Sequence, residues 1–299
     1  MLNINDIEKL HKDFPEPEEV GKIRRAITTA FNDLVFDPVP HTYTVKEGGK
    51  VINLPSVSSI AGSFEEKKDW DMIAENYAIK NGMLTEDVKR MWRENNIRST
   101  NNGTSTHLFL ESYMWFFLGE YDKIDPIIKP QFEDGWLIPY GNKQTAGAKY
   151  FEDMYKSYYD DNVQVKVYPV IPETRMYVFN NNSVGIKKRF AGTMDILLCF
   201  QDPNDGIWKL ICDDWKTNGD LTNSFNRNKG NRMLYPFENY IDEPFSHYTV
   251  QLSAYTLMLN QLKYQVPYRN LVWLKEDQTY ERYPITDESK KLIEYYKVL

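Results

Sequence analysis

The sequence predicts an α/β protein with a mainly helical part over residues 1–150 and an α/β core over residues 151–299. Apolar residues recur at helical spacing in the first part. In the second part, short apolar runs alternate with turn residues, which is typical of strands. No linker rich in Pro, Gly or Ser separates the two parts, so we expect them to pack as one unit.

Composition and charge narrow the class of protein. A chain of 299 residues that is 41% hydrophobic is long and apolar enough for a sizeable core. The net charge of −7 argues against a passive nucleic-acid coat protein, which is usually basic. It does not exclude a nuclease, because DNA contact needs only a local basic surface.

The expected location is the cytoplasm, that of the host cell if the protein is phage-encoded. No apolar run approaches the ~20 residues that a membrane span requires. The first residues lack the basic and apolar regions of a secretory signal. Cys199 and Cys212 fall inside predicted strands, which favours reduced core thiols over a disulfide.

The helical part begins with two helices within residues 1–35, because Pro15 and Pro17 interrupt the apolar pattern. Residues 41–54 predict a β-hairpin, since an alternating run is followed by Glu-Gly-Gly-Lys and a second short apolar run. Helices are expected from there to about residue 120, and again over 145–160.

Asn101-Asn102-Gly103-Thr104 is expected to form a loop that opens the helix carrying His107. The second part then predicts the central strands and the helices around them. These are strands over 163–171, 176–179, 189–200, 207–216 and 268–275, an irregular segment over 218–246, and helices over 248–262 and 287–298.

Two aspartates fall inside predicted strands that are joined by a hairpin turn. Asp195 lies on the first strand, and Asp214 follows on the second. Because side chains alternate along a strand, Asp214 and Lys216 share one face while Asp213 and Trp215 share the other. Residues at equal distance from the turn pair, so Asp195 and Asp214 can meet. A bulge would exchange the roles of Asp213 and Asp214.

Carboxylates in such strands are costly unless they are paired or bind a cation. An oxygen-rich site suits Mg²⁺ or Mn²⁺. Such an ion lowers the pKa of a bound water and neutralises charge that develops at phosphorus. Lys216 would hold or help deprotonate the attacking water and stabilise the transition state. The alternative, a plain ion pair between Asp214 and Lys216, is the commoner meaning of an isolated Asp-x-Lys.

Further residues add to this pattern. His107 and Glu111 are one helical turn apart, and His107 is a candidate metal ligand. Glu173 can supply a carboxylate from the adjoining strand. Gln251 and Tyr255 share a helix face and can brace the site or touch a phosphate. Each also has a structural alternative: a surface or core histidine, an exposed strand-end acid, and an amphipathic helix with a partly buried tyrosine.

In order, the motifs Gly-Thr-x-x-His, Glu, Ala-Gly-Thr-x-Asp, Asp-Trp-Lys-Thr and Gln-x-x-x-Tyr resemble the RecB-like branch of the PD-(D/E)XK nucleases. The resemblance covers about residues 100–256. More weakly, residues 54–60 and Trp70 resemble the entry segment of phage exonucleases and the mitochondrial genome maintenance exonuclease. A doubled Asp213-Asp214, a long 218–247 segment and the absence of a Cys₄ set depart from some relatives.

The resemblance implies a restriction-endonuclease-like fold, in which helices flank a mixed β-sheet, and metal-dependent hydrolysis of DNA. It also implies roles for individual residues. The metal ligands would be His107, Asp195 and Asp214, the catalytic lysine Lys216, and the trailing motif Gln251 and Tyr255, with Glu173 as a less secure catalytic acid.

We therefore expect a Mg²⁺- or Mn²⁺-dependent DNA exonuclease that is phage-encoded and acts in recombination, replication or genome processing. Arg227, Lys229 and Arg232 are expected to contact DNA phosphates. DNA is the expected partner, and a single-strand annealing or other recombination protein is a further candidate. The alternatives are an endonuclease with the same metal site and a non-catalytic DNA-binding or scaffold protein with a relict site. Strand polarity, strand preference and oligomeric state stay open.

Overall fold

A mixed five-stranded sheet with helices on both faces forms the centre of the structure, a computed structural model that describes residues 1–298. The prediction of an α/β protein is confirmed. The helices are α1 (Ile4–Asp13), α2 (Glu18–Ala30), α3 (Val57–Gly62), α4 (Trp70–Asn81), α5 (Thr85–Phe117), α6 (Asn142–Tyr159), α7 (Ser224–Lys229), α8 (Pro244–Asn260) and α9 (Ser289–Val298). The strands are β1 (Val35–Asp37), β2 (Thr42–Glu47), β3 (Lys50–Leu54), β4 (Phe132–Glu133), β5 (Trp136–Leu137), β6 (Val167–Tyr177), β7 (Ala191–Gln201), β8 (Trp208–Lys216), β9 (Tyr268–Leu274) and β10 (Tyr280–Pro284).

The central sheet has the strand order β10-β9-β8-β7-β6. Its neighbours pair antiparallel except β8 and β9, which run parallel and are connected through α8. Parallel neighbours need such a crossover, because a tight turn cannot join them. The segment 176–179, expected as a separate or continuing strand, begins inside β6, which runs to residue 177.

The first two helices are separated where Pro15 and Pro17 predict, and Asn3 begins α1 with a reciprocal capping box to Asp6. The predicted hairpin is β2–β3. Its turn contains Gly48 and Gly49, which both adopt positive φ. β1 adds a third strand to this small sheet.

One prediction for the helical part is wrong. Residues 101–104 are not a loop: α5 runs unbroken from Thr85 to Phe117. Asparagine and glycine are poor helix formers, but tertiary packing overrides that weak preference. Gly103 is instead a site of close approach. A Cβ there would lie 3.3 Å from Oγ1 of Thr217, just after β8.

Hydrophobic residues pack against both faces of the central sheet. One cluster joins α2, α3 and α8 to the face that carries Leu197, and the other joins α1, α5 and α6 to the face that carries Ile196. Both clusters combine residues from before and after residue 150, so core contacts cross that boundary. Cys199 and Cys212 are free and buried in this core. No helix within residues 1–298 is long and apolar enough to span a membrane.

Candidate functional site

Asp195 and Asp214 lie side by side at one end of the β7–β8 pair. Ile196 pairs with Asp213, so the next positions along both strands are the two aspartates. Oδ2 of Asp195 accepts a hydrogen bond of 2.7 Å from the backbone N–H of Trp215. Both aspartates are buried, with 7% and 1% exposure.

Asp213 points to the opposite face of the sheet, as strand alternation predicts. Its carboxylate accepts hydrogen bonds from Tyr150 Oη at 2.8 Å and from Asn270 Nδ2 at 2.7 Å. Arg282 Nη2 also contacts it at 2.9 Å. The β7–β8 register contains no bulge, so the exchange of roles between Asp213 and Asp214 does not occur. Asp213 ties β8 to its neighbours.

His107, Glu173 and Asp195 bring three potential ligand atoms within 4.8 Å of one another, and we call this set the cleft cluster. Nδ1 of His107 lies 3.3 Å from Oδ1 of Asp195. Glu173 reaches the set from β6, where it adopts a positive φ of 45°. Asp214, expected as a ligand with His107 and Asp195, is outside this three-atom set, and Glu173 stands in it instead.

The charges in the cleft cluster depend on one another. Burial disfavours a charged His107, but the charge and hydrogen bond of Asp195 outweigh burial and raise the pKa of His107 to about 9. Burial likewise opposes ionisation of Asp195, yet His107 and Lys216 hold its pKa below the usual value. Burial and the nearby Asp195 charge raise the pKa of Glu173.

Asp214 is a buried acid with one charged partner. Its Oδ2 contacts the Lys216 ammonium, whereas within residues 1–298 Oδ1 has no hydrogen-bond partner. Burial raises its pKa even though Lys216 acts in the opposite direction. Unsatisfied buried carboxylates are rare because they lose hydration without compensation. A bound cation would supply a partner for the free oxygen of the Asp214 carboxylate.

Lys216 is a positioned ammonium. Burial lowers its pKa, but the charges of Asp214 and Asp195 more than offset this effect and raise it. The amine therefore stays protonated at physiological pH. Nζ lies 4.6 Å from the ring centre of Tyr248, whose hydroxyl donates to Asn218 Oδ1 at 2.7 Å. The sequence motifs do not indicate Tyr248, and its position on α8 three residues before Gln251 is the available signal.

Gln251 and Tyr255 brace β7 from α8. Gln251 Nε2 donates to Tyr255 Oη at 3.1 Å, and that hydroxyl donates to the Thr193 carbonyl at 2.6 Å. A Cβ at Gly192 would lie 2.8 Å from the Tyr255 ring and 2.9 Å from Val57 Cγ2. The glycine of the Ala-Gly-Thr run therefore makes room for the tyrosine, which holds the strand two residues before Asp195.

The cleft cluster opens into a cleft of about 470 Å³. Glu111, Gln251 and Tyr255 line it, together with residues of the small N-terminal sheet. Burial raises the pKa of Glu111. Helix α5, β6, β7 and α8 therefore all contribute polar groups to one concave surface, which is the usual form of a ligand site.

The expected phosphate contacts lie elsewhere. Arg227 binds Glu243 through Nε at 2.7 Å and Nη2 at 2.8 Å. Arg232 donates to the Asn239 carbonyl at 3.0 Å. Neither these residues nor Lys229 line the cleft. The structure therefore does not bring this basic run to the predicted metal ligands.

A second histidine–carboxylate set was not indicated by the sequence motifs. Glu65, Asp242 and His247 bring three potential ligand atoms within 4.8 Å. The two ring nitrogens of His247 contact the two acids at 3.1 and 2.8 Å, and Lys68 Nζ lies 3.2 Å from Asp242 Oδ2. We call this set the lysine-bound cluster, because the amine already neutralises its buried acid.

No protein-family model matches the chain. No curated protein matches it with significance. The positions and partners of these side chains are therefore what supports a function.

Proposed function

We propose that this protein is a divalent-metal-dependent DNA nuclease of the RecB-like PD-(D/E)XK kind, and that it acts as an exonuclease. The observation that carries the proposal is Asp214, a buried carboxylate that lies beside Asp195, contacts the Lys216 ammonium through Oδ2 and, within residues 1–298, leaves Oδ1 without a partner. A mixed sheet flanked by helices is compatible with the nuclease fold that the motifs imply.

The side chains fit a divalent cation. His107, Glu173 and Asp195 would hold the ion, and Asp214 is the next carboxylate along the sheet end. Carboxylates suit both Mg²⁺ and Mn²⁺, whereas an imidazole ligand favours the transition metal, so we expect Mn²⁺ to bind more tightly. When bound, the ion supplies a Lewis acid and activates water at neutral pH.

Lys216 would stabilise the negative charge that grows on the phosphate. Its raised pKa keeps it protonated, so it acts as a positive charge and a hydrogen-bond donor and not as a base. Asp214 and the ring of Tyr248 hold the ammonium from two sides, which limits its motion. Tyr255 fixes β7 and therefore the position of Asp195. Fixed charges of this kind cost no reorganisation during the reaction.

The resemblance of residues 54–60 and Trp70 to phage exonucleases favours an exonuclease over the endonuclease alternative. The cleft of about 470 Å³ has the size of a pocket for a small ligand, which is compatible with binding of a chain end. A covalently closed circular DNA separates the two activities, because an exonuclease leaves it intact. A phage source, a role in recombination, replication or genome processing, and a single-strand annealing partner stay predictions within this function.

The test is digestion of end-labelled linear DNA with Mg²⁺ or Mn²⁺. We expect loss of label in the wild type, and loss of activity on chelation and in Lys216→Ala. Lys209→Ala is the matched control: Lys209 lies on the same strand and also pairs with an acid, Asp202, at 2.6 Å, but at the other end of β8. Full activity in Lys216→Ala, or activity that survives EDTA, would overturn the proposal.

A further inference from the structure

We infer that Arg175 and His41 form a subsite for one unpaired nucleotide at the rim of the cleft, with Arg175 on the phosphate and the His41 ring on the base. The inference rests on the proposed function and adds the substrate class to it: single-stranded DNA or a frayed end. Neither residue belongs to the motifs that indicate the nuclease, and neither is a candidate metal ligand.

Arg175 is a cation next to the cleft: it does not itself line the cleft, but it lies over the ring of Phe36, which does. It is exposed, and within residues 1–298 it forms no ion pair and donates no hydrogen bond. By contrast, the nearby Arg189 is tied to Glu47 at 2.7 Å. Arg175 lies on β6 two residues after Glu173, so strand alternation places both on the same face. Its planar fork of N–H groups matches a phosphate and is not otherwise used.

A cation beside the cleft favours the approach of a DNA phosphate. Glu111, Glu173 and Asp195 line the cleft, and the charge of His107 offsets only part of the negative charge there. Lys216 is largely buried and already bound to Asp214. Burial raises the pKa of Glu111, and the charge of Arg175 acts against that rise, so the guanidinium acts electrostatically on a residue that lines the cleft.

Aromatic residues position both Arg175 and His41. The guanidinium carbon lies 5.5 Å from the ring centre of Phe36, and the His41 ring meets Phe36 edge-on with a 5.0 Å centroid separation. Phe36 stacks in turn on Tyr43 at 4.7 Å. The hydroxyl of Tyr43 lies 2.9 Å from Thr193 Oγ1, two residues before Asp195 on β7. The subsite is therefore connected rigidly to the cleft cluster.

His41 has the exposure and backbone geometry of a binding residue. Its side chain is exposed and lines the cleft. Its φ of 52° lies in the left-handed region, where residues other than glycine are strained and where binding residues are enriched. Base stacking on an aromatic ring needs an open face and tolerates any base. In a duplex the base faces are covered by stacking, so such a ring selects unpaired nucleotides.

The experiment measures binding separately from cleavage. Full-length protein is titrated into a fluorescent oligothymidylate and into a blunt duplex of equal length, with Ca²⁺ as the divalent ion and DNA integrity checked afterwards. Arg175→Ala should weaken single-strand binding about 10-fold and lower its salt dependence by about one phosphate contact. His41→Ala should weaken it about 10-fold with an unchanged salt dependence. Blunt duplex binding should change little in both variants.

Two controls sharpen the result. Arg25→Ala removes an exposed arginine of α2 that, unlike Arg175, does not lie over the Phe36 ring, and it should leave binding unchanged. Arg175→Lys keeps the charge but loses the fork, so it should bind between the wild type and the alanine variant. Thermal unfolding should show wild-type stability for the arginine variants, because their side chains are exposed, and it checks that His41→Ala stays folded despite the positive φ at this position.

The outcomes separate this inference from the proposed function. Unchanged single-strand affinity in Arg175→Ala and His41→Ala, equal losses on blunt duplex, or no DNA binding by the wild type overturns the subsite, even if the protein digests DNA. Selective losses in a protein that cleaves DNA with neither Mg²⁺ nor Mn²⁺ support the subsite and overturn the nuclease.

Discussion

Two clusters in this protein place a histidine against two carboxylates, and they differ in what else contacts the acids. Beside the cleft cluster, Asp214 contacts Lys216 through one oxygen, its other oxygen has no hydrogen-bond partner within residues 1–298, and the set opens into a cleft. In the lysine-bound cluster both oxygens of Asp242 are occupied, one by His247 and one by Lys68. The same residue types therefore form a strained, open site in one place and a closed charge network in the other.

The comparison teaches that composition alone does not mark a functional site. A fully paired network stabilises the fold and leaves no group available for a ligand. Buried acids that repel one another cost free energy, and they persist where a bound cation or substrate uses them. We therefore assign the chemistry to the cleft cluster and a structural role to the lysine-bound cluster.

The largest expected difference is in activity. Asp195→Asn should reduce DNA digestion about 1,000-fold or more, because a correctly held cation supplies several kcal/mol of transition-state stabilisation. Asp242→Asn, the same substitution in the lysine-bound cluster, should leave the rate within about twofold after correction for folded fraction. Rates on end-labelled DNA check both variants. Equal losses of activity in the two variants would contradict the assignment of catalysis to the cleft cluster alone.

The next difference is in stabilisation by metal. Mn²⁺ at about 100 times its dissociation constant should stabilise the wild type by roughly 2.7 kcal/mol, seen as a higher Tm. Asp195→Asn should abolish this effect, and His247→Ala should retain it. Loss of the metal effect in His247→Ala alone would move the ion to the lysine-bound cluster.

Metal binding in the cleft cluster should also depend on pH. His107 binds a cation only when neutral, and its pKa is raised to about 9. Metal and proton therefore compete, so the Mn²⁺ affinity should rise with pH and level off near about 9. Calorimetric titrations at several pH values measure this. An affinity that does not change with pH would remove His107 from the ligand set.

The smallest expected difference is in the stability of the metal-free protein. Asp242→Ala should lower the free energy of unfolding by about 2 kcal/mol, because His247 and Lys68 lose their shared acid. Glu173→Gln should leave it unchanged or raise it. The raised pKa of Glu173 means that its charged form is disfavoured by folding, so at neutral pH the neutral amide removes a cost. Denaturant unfolding in EDTA measures the free energy of unfolding of both variants. A lower value for Glu173→Gln would contradict the inference that the buried charge of Glu173 destabilises the fold.

Side-chain alternation and hairpin register predicted how Asp195, Asp214 and Lys216 are arranged. Alternation placed Asp214 and Lys216 on one face, and equal distance from the turn placed Asp195 opposite Asp214. These inferences succeeded because the β7–β8 pair is a regular hairpin whose register follows from its turn. Proline and glycine positions likewise predicted the first helices and the β2–β3 turn.

The remaining features depend on contacts between residues distant in sequence. Local propensity around Gly103 indicated a loop, whereas α5 is continuous there and Gly103 lies close to Thr217. Arg227 looked free, but Glu243 folds back to bind it. Glu173 was predicted as a carboxylate from the adjoining strand and lies in the three-atom set, but its positive φ on β6 is a conformation that no sequence pattern indicates.

Gly192 links three parts of the chain that are far apart in sequence. The space that a Cβ would need is filled by the ring of Tyr255 and the methyl of Val57. The three side chains therefore share one space. A homologue with a larger residue at position 192 would need a smaller one at position 255 or 57. We expect these positions to co-vary across evolutionary time, with compensatory pairs tolerated where single substitutions are not.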